Sequence, residues 1–583
     1  MSSVFSKYNN QFIIRTSRLD WNDQNVILDS NLFRNVVGDL IANLKEKNSE
    51  FLALLPEASQ DDQVSLLVKA LKLLSTQRFE EVKAKNPDLG KIFSNPYLLD
   101  RFVEELYNYW RSHERYLVCF SDYDNDLDKK PYRTFNDTIE RLNNLVRKIY
   151  REIQENITGA HPVIYRQVPA GFNIGVIAKR TQVNLPKGYE HFSQIPLIRQ
   201  VLLNPPVIVE PLVNKRKGEF KLTKINPIEN LELKENEWLC FPAKVGKLVV
   251  YIYFHDSFFG MAITCSNIFE LCNESDLQKK PDAIYFYGLP KHFMDRFLPE
   301  KTVYFIDDKN DVVVGAIPQD KDFGYFGYVK KMVLTLHNSI MIKRGKLPVH
   351  GAMVRLTMKT GESANVVLVG DSGAGKSESI EAFRVLSGDK LSDLKIIFDD
   401  MGSLSIEEGK IKAYGTEIGA FVRIDDLDSG YVYGQLDRMI IMIPHKEPNA
   451  RVVLPITTME EVNKGYEIDY FLYANNYLEP ENNRFIKKFD SYDEAIKVFR
   501  EGKRLAKSTT DEIGLTSTYF ANIFGPVQLK EEHEKLAETY FKKMFEQKVF
   551  VGEIFTQLGR KGMEQEGPKQ AAMALFEQIM RKK

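Results

Sequence analysis

Residues 370–377 are Gly370, Asp371, Ser372, Gly373, Ala374, Gly375, Lys376 and Ser377. The spacing G-x-x-x-x-G-K-[ST] is that of a loop that cradles phosphate. Each residue type has a task. Gly370, Gly373 and Gly375 let the backbone curl until successive N–H groups face one anion. Lys376 is placed to reach the β- and γ-phosphates, and the Ser377 hydroxyl to sit on Mg²⁺. The apolar run 366–370 predicts a strand entering the loop. The pattern from Glu378 to Leu386 predicts a helix leaving it, so the anion would also lie at a helix N-terminus. A strand–turn–helix unit with no ligand would need no lysine at 376.

A pair of carboxylates, Asp399 and Asp400, ends the apolar run 395–399. A strand that ends in Asp downstream of a phosphate loop is a usual way to bring a carboxylate to Mg²⁺. With two, one can serve a metal and the other a base or a supporting role. Upstream, His350 stands just before the phosphate-loop strand, and Lys330 and Lys331 open an apolar segment. Alone, such a histidine reads as a satisfied core or surface residue, and such a lysine pair as a solvated helix face.

The elements that must hold these groups can be read in outline. Residues 1–110 read as mostly helical, with Val64, Leu67, Val68, Leu71 and Leu74 on one helix face. Residues 111–324 read as mixed strand and loop, with β-branched and aromatic runs at 246–255, 282–290 and 302–307. The charged run 214–221 reads as a solvated loop. From 325 onward, strands and helices alternate around the loop. The runs 366–370, 395–399 and 439–443 predict buried strands, and amphipathic helices are predicted near 531–547 and 568–581.

At 583 residues, more than one domain is expected. Lys plus Arg (79) nearly balances Asp plus Glu (80), which gives no reason to expect nucleic acid or an anionic membrane as partner. The sequence has no run of 18 apolar residues and no signal-peptide core at its start. The four cysteines form no CxxC pair, so neither a disulfide framework nor a zinc site is expected. The expected location is cytoplasmic.

In order, Tyr325-Phe326-Gly327-Tyr328-Val329-Lys330-Lys331, an apolar stretch, Leu347-Pro348-Val349-His350, a strand, the phosphate loop and Asp399-Asp400 resemble phosphoenolpyruvate carboxykinase. That family carries Y-A-G-E-x-K-K, P-M-H, a kinase loop and D-D in this order. The resemblance runs over about 325–560. Residues 415–420 resemble its F-E-G-G-C segment, 449–455 its N-T-R-V-x-Y-P-I, and 519–526 its F-S-A-C-F-G-A-P. Residues 549–559 stand where the family has a strand and a nucleotide loop. Residues 111–118 resemble its R-S-P-K-D-K-[FY]-I-V, without the preceding glycine, the proline and the lysine spacing. The loop itself departs from the family's G-x-S-G-T-G-K-T-T and is similar to that of HPr kinase/phosphorylase, which also has a histidine before its loop and D-D after it.

The resemblance implies an α/β fold with mixed sheets: a two-lobed carboxykinase-like fold with a phosphate-loop nucleotide domain and an extra helical N-terminal region. The divisions would be 1–110, 111–324 and 325–583. It implies Lys331, His350 and Asp400 as ligands of a transition metal, Mn²⁺ by its donor set. Lys331 would then be neutral, its pKa depressed by the metal and by Lys330. Ser377 and the nucleotide phosphates would hold Mg²⁺. Lys376 and Arg451 would neutralise the transferring phosphoryl group, Lys330 would touch an anionic substrate, and Arg111 would hold its carboxylate. Asp399 would support the metal site or act as a base. Arg560 is the candidate for the adenine pocket.

Three functions stay open at this level. The first is the gluconeogenic lyase reaction, in which oxaloacetate and ATP or another nucleoside triphosphate (or pyrophosphate as donor) give phosphoenolpyruvate, CO₂ and nucleoside diphosphate. The second is an HPr-kinase-like transfer to a protein serine or a small-molecule hydroxyl. The third is a non-catalytic nucleotide-binding regulator. The expected partners are nucleotide and a small anion or hydroxyl substrate, with neither nucleic acid nor membrane. The N-terminal region is a candidate partner-binding or dimerising element.

Overall fold

The structure, a computed structural model, describes residues 4–16, 23–120, 130–161, 170–216, 219–427, 429–444, 450–506 and 513–581. Asn449 of the motif at 449–455 therefore lies outside the described residues. The chain divides into two compact units, Met1–Arg180 with Ile198–Val207, and Thr181–Leu197 with Ile208–Lys583. The region expected to be helical, 1–110, shares the first unit with the start of the region expected to be strand and loop.

In the first unit the strands Gln11–Thr16, Glu114–Phe120 and Ile174–Lys179 run parallel, and Val4–Tyr8 folds back against Gln11–Thr16. Parallel neighbours need long crossovers. The helices Asn31–Glu46, Gln60–Leu74 and Pro96–Arg111 lie between the first two of these strands, and Lys130–Thr158 between the next two. Ser30 and Ser59 cap two of these helices by accepting the Phe33 and Asp62 amides. The apolar stripe from Val64 to Leu74 is buried, as its spacing predicts.

Two local readings are corrected here. Residues 4–16 are a strand pair rather than helix. Gln11–Thr16 is buried at every position, so it carries no alternation to read. The region expected as strand and loop also contains the 29-residue helix Lys130–Thr158. Its buried Ile139, Leu142, Leu145, Ile149, Ile153 and Ile157 recur at three- and four-residue steps among many charges.

In the second unit one sheet orders the strands Trp238–Val245, Leu248–His255, Ala283–Leu289, Val312–Pro318, Val303–Asp307 and Lys221–Thr223. Three of these fall on the aromatic runs read from the sequence. The helix Phe326–Lys343 follows and is buried around almost its whole circumference, because it packs on Val312–Pro318, Leu347–Met358 and the helix Lys530–Glu546.

A second sheet orders Tyr466–Glu467, Lys410–Gly415, Met401–Glu407, Leu347–Met358, Ser363–Val369, Tyr470–Asn475, Phe550–Phe555 and Ile486–Lys488. Leu391–Phe398 also pairs with Leu347–Met358. In a third sheet Arg451–Pro455 lies between Gly419–Arg423 and Ile440–Met442. The two C-terminal helices are Lys530–Glu546 and Glu566–Met580. The fold is thus mixed α/β. Among the described residues no helix is long and apolar enough to cross a membrane.

Candidate active site

The strand Ser363–Val369 delivers the chain into the loop at 370–377. It lies antiparallel to Leu347–Met358 and parallel to Tyr470–Asn475. The turn takes a left-handed backbone at two places, and at Gly370 a Cβ would fall 2.7 Å from Ala374 Cβ. Gly373 has φ 79° and Gly375 φ 101°, conformations that cost little only without a Cβ. At Gly375 a Cβ would also fall 2.6 Å from Thr556 Oγ1. Gly375 is the N-cap of the helix Lys376–Val385, which therefore starts earlier than the sequence pattern suggests. Three side chains hold the loop backbone, two from neighbours and one from the loop itself. Thr556 Oγ1 donates to Ala374 O (2.8 Å), Asn476 Nδ2 donates to Gly373 O (2.9 Å), and Lys376 Nζ donates to Gly370 O (2.6 Å) and Asp371 O (3.1 Å).

The long strand Leu347–Met358 brings the rest of the site to this loop. Its first half pairs with Met401–Glu407 and its second half with Leu391–Phe398. The bend between those two strands is Asp399 and Asp400, so it must sit beside the middle of the long strand. That middle is His350 and Gly351. Gly351 N donates to Asp400 O (3.1 Å), and Gly370 N donates to His350 O (3.1 Å). One backbone segment thus bridges the loop and the two carboxylates. The buried helix Phe326–Lys343 adds Lys330 and Lys331 from the other side.

The side chains converge on Asp400. Lys331 Nζ lies 2.6 Å and Lys330 Nζ 3.1 Å from Asp400 Oδ2, and His350 Nε2 lies 3.0 Å from Oδ1. Asp399 Oδ1 accepts from Ser377 Oγ at 3.1 Å. A third carboxylate, Glu417, stands 3.8 Å from Lys330 Nζ. Burial raises the Asp400 carboxyl, but Lys330 and Lys331 outweigh it and hold the group well below the usual carboxylate range. Burial, aided by the charge on Asp400, pushes Asp399 up to about 6. Burial pushes Glu417 up to about 8, against the pull of Lys330. Lys331 is lowered by burial even with Asp400 beside it. Lys330 is raised, because Asp400, Glu417 and Asp399 together overcome its burial.

The donor set can be tested for a divalent cation. His350 Nδ1 lies 2.6 Å from the carbonyl of Ala521, which can only accept, so Nδ1 carries the proton and Nε2 presents its lone pair. Burial, with Lys376 and Lys331 nearby, lowers His350 to about 4, so the ring is neutral near pH 7. A neutral Nε2 facing a carboxylate oxygen at 3.0 Å is unfavourable unless a proton or a metal cation joins them. The separation is close to the roughly 2.9 Å between adjacent ligands of one octahedral ion with bonds of about 2.1 Å. A histidine nitrogen, a carboxylate oxygen and a lysine with a lowered pKa therefore fit such an ion. Among the described residues no group of three His, Cys, Asp or Glu side chains could hold a metal.

Lys330, Lys331, Asp399 and Asp400 line one cavity of about 830 Å³, built wholly by the second unit. That volume is within the range of small-molecule sites. Of the residues singled out from the sequence, Lys330, Lys331, Asp371, Ser372, Gly373, Lys376, Ser377, Asp399, Asp400 and Arg451 line it. Gly370, Ala374 and His350 lie behind that surface. Lys330 is only 2% exposed. Arg111 belongs to the first unit, at the C-terminal end of the helix Pro96–Arg111, 3.5 Å from Asn108 Oδ1, and is not a lining residue. Arg560 pairs with Glu479 at 2.8 Å.

Several lining residues were not singled out from the sequence. Arg216 belongs to the run read as a solvated loop, and that reading is corrected. Arg216 lines the cavity with its guanidinium over Phe220 and Phe524, and Lys221 begins a strand. Arg423, Phe421 with its ring beside the Arg451 guanidinium, and fully buried Arg504 were likewise missed, whereas Tyr325, on the other side of Arg451, belongs to the motif read at 325–331. Glu417 accepts from Thr416 Oγ1 and from Met401 N (3.2 Å), the latter one residue past Asp400. Its only local signal was its place in the segment 415–420. Comparison with known proteins finds neither a family model nor a curated protein that matches the chain.

Proposed function

We propose that the chain is a nucleotide- and metal-dependent phosphotransferase of the phosphoenolpyruvate-carboxykinase kind. One observation carries the proposal: Lys331, His350 and Asp400 meet within 3.0 Å at a cavity bordered by the phosphate-loop residues Lys376 and Ser377. The two-lobed carboxykinase fold belongs to the same proposal. In this reading oxaloacetate loses CO₂, the resulting enolate oxygen takes the γ-phosphoryl group of a nucleoside triphosphate, and nucleoside diphosphate leaves. Divalent cations held by Lys331, His350 and Asp400, and by Ser377 with the nucleotide phosphates, would supply Lewis-acid stabilisation of developing oxyanion charge.

The protein's own groups do the rest. Lys376 and the loop amides bind the phosphates, and Arg451 offsets charge on the group in transfer. Arg451 has its guanidinium 5.0 Å from the centre of the Phe421 ring and 5.7 Å from that of Tyr325. A guanidinium fork held between two rings is pre-organised for an anion. Asp400 keeps Lys330 charged toward the substrate.

A second reading rests on Asp399. A carboxyl raised to about 6 beside the loop serine is tuned to take a proton from a hydroxyl near neutral pH. This favours kinase transfer to an alcohol. Incubation with ATP, GTP or pyrophosphate, with Mn²⁺, Mg²⁺ and oxaloacetate, separates the two readings. Phosphoenolpyruvate is the expected product. Its absence with every donor would sink the carboxykinase reading, and donor turnover that depends on an added hydroxyl compound would establish the second.

A further inference from the structure

Asp371 is an unexpected residue for a loop that takes up polyphosphate, because a bare carboxylate there repels the ligand. In the structure it is not bare. Its Oδ2 lies 3.1 Å from Arg504 Nε and accepts from Thr518 Oγ1 at 2.8 Å, and its Oδ1 accepts from Ser372 N at 2.7 Å. Arg504 is only 2% exposed. Fully desolvating a guanidinium is costly unless it is paired, and two apolar side chains of similar size would stabilise the fold as well or better.

Arg504 sits on the strand Lys503–Leu505, which pairs with Leu515–Ser517, the strand just before Thr518. The next residue ties the same strand to the loop a second time. Leu505 N donates to Asn476 Oδ1 (2.8 Å), while Asn476 Nδ2 donates both to Leu505 O (2.9 Å) and to Gly373 O (2.9 Å). The loop is therefore held at its second and fourth residues by one short strand.

We infer that Arg504 is a positioning residue for the phosphate loop. Through Asp371, with the Asn476 clamp beside it, the strand Lys503–Leu505 fixes the loop in its anion-binding shape and cancels the loop's own negative charge. The ligand class is a polyphosphate, as a nucleoside triphosphate or as pyrophosphate. The inference rests on the reading of 370–377 as a phosphate site and adds a residue outside the motif that governs its affinity.

The test is titration of the full chain with Mg-ATP and, separately, with magnesium pyrophosphate. The proteins are wild type, Lys376→Ala, Arg504→Met, Arg504→Lys and the double variant Asp371→Asn/Arg504→Met, with a melting curve for each. Arg504→Met is expected to weaken both ligands by about tenfold or more, since the Asp371 charge is left without Arg504 to offset it, and the double variant to recover to within about threefold of wild type. Arg504→Lys keeps the charge, loses the Nε contact, and is expected to weaken binding by about three- to tenfold at an unchanged melting temperature. It carries the test if Arg504→Met does not fold. A role confined to stability would move the melting curves and leave affinity alone. If folded Arg504 variants bind like wild type, or the double variant stays as weak as Arg504→Met, the inference is overturned. If wild type binds neither ligand, the reading of the loop itself falls. If wild type binds and Lys376→Ala does not, that reading stands and the Arg504 variants alone decide.

Discussion

Asp400→Asn removes the anion at which two buried lysines meet. At an effective dielectric near 20, the contacts to Lys331 at 2.6 Å and Lys330 at 3.1 Å are worth about 6 and about 5 kcal/mol before desolvation. Most of that is offset by the cost of burying Asp400 itself. What remains is the penalty of leaving two cations without their anion, about 3–5 kcal/mol for a broken buried pair. Two groups can relieve it. Lys331, already lowered, can release its proton, and Glu417, raised partly by the charge on Asp400, can ionise toward Lys330. A lysine whose folded pKa is depressed binds fewer protons folded than unfolded, so its share of stability rises with pH. Glu417, at about 8 in the wild type, binds more protons folded than unfolded, so it drains wild-type stability as pH rises toward 8. Removing Asp400 lessens that drain. Both effects narrow the gap between the two proteins as pH rises. Urea titrations at a series of pH values from 6 to 9 would read it. A difference under about 1 kcal/mol at every pH, or one that widens with pH, refutes the reasoning.

Three further outcomes are expected. Gly375→Ala puts a side chain at φ 101° with its Cβ 2.6 Å from Thr556 Oγ1, and should cost about 1–3 kcal/mol in thermal unfolding while weakening nucleotide binding. His350→Gln should weaken Mn²⁺ binding at least about tenfold, read by the loss of free-ion EPR signal on titration with no substrate present. Equal Mn²⁺ affinity in the two proteins would remove His350 from the metal site. His533 is lowered to about 4 by burial, so the folded protein binds fewer protons than the unfolded one between about 4 and 6.5 and loses stability as pH falls through that window. In His533→Gln that acid loss should shrink by about 3 kcal/mol by pH 4, and an unchanged acid branch would count against the assignment.

What the sequence revealed about the site, and what it hid, follow from the same physics. The loop was legible because backbone geometry demands glycine at 373 and 375, and because its lysine follows them at the phosphate-loop spacing; that lysine is buried against the loop's own carbonyls. The runs at 366–370 and 395–399 were legible as strands because buried strands are continuously apolar. Their partners were not. That Leu391–Phe398 and Met401–Glu407 share the strand Leu347–Met358, and so swing Asp399 and Asp400 back to the loop, is a long-range pairing that no local pattern encodes. The lysine pair read locally as a solvated face because charge implies water unless a counter-charge arrives from elsewhere. Here it arrives from Asp400, nearly 70 positions away in the chain. The same default concealed Arg216, Glu417 and Arg504, each buried or half-buried against partners distant in sequence. Asp371 shows the limit most sharply. Its letter in the loop suggested a group facing nucleotide, yet its carboxylate is committed to Thr518 and Arg504. A charged residue in a binding motif can therefore be there to anchor the motif rather than to touch the ligand, and only the partner's position distinguishes the two.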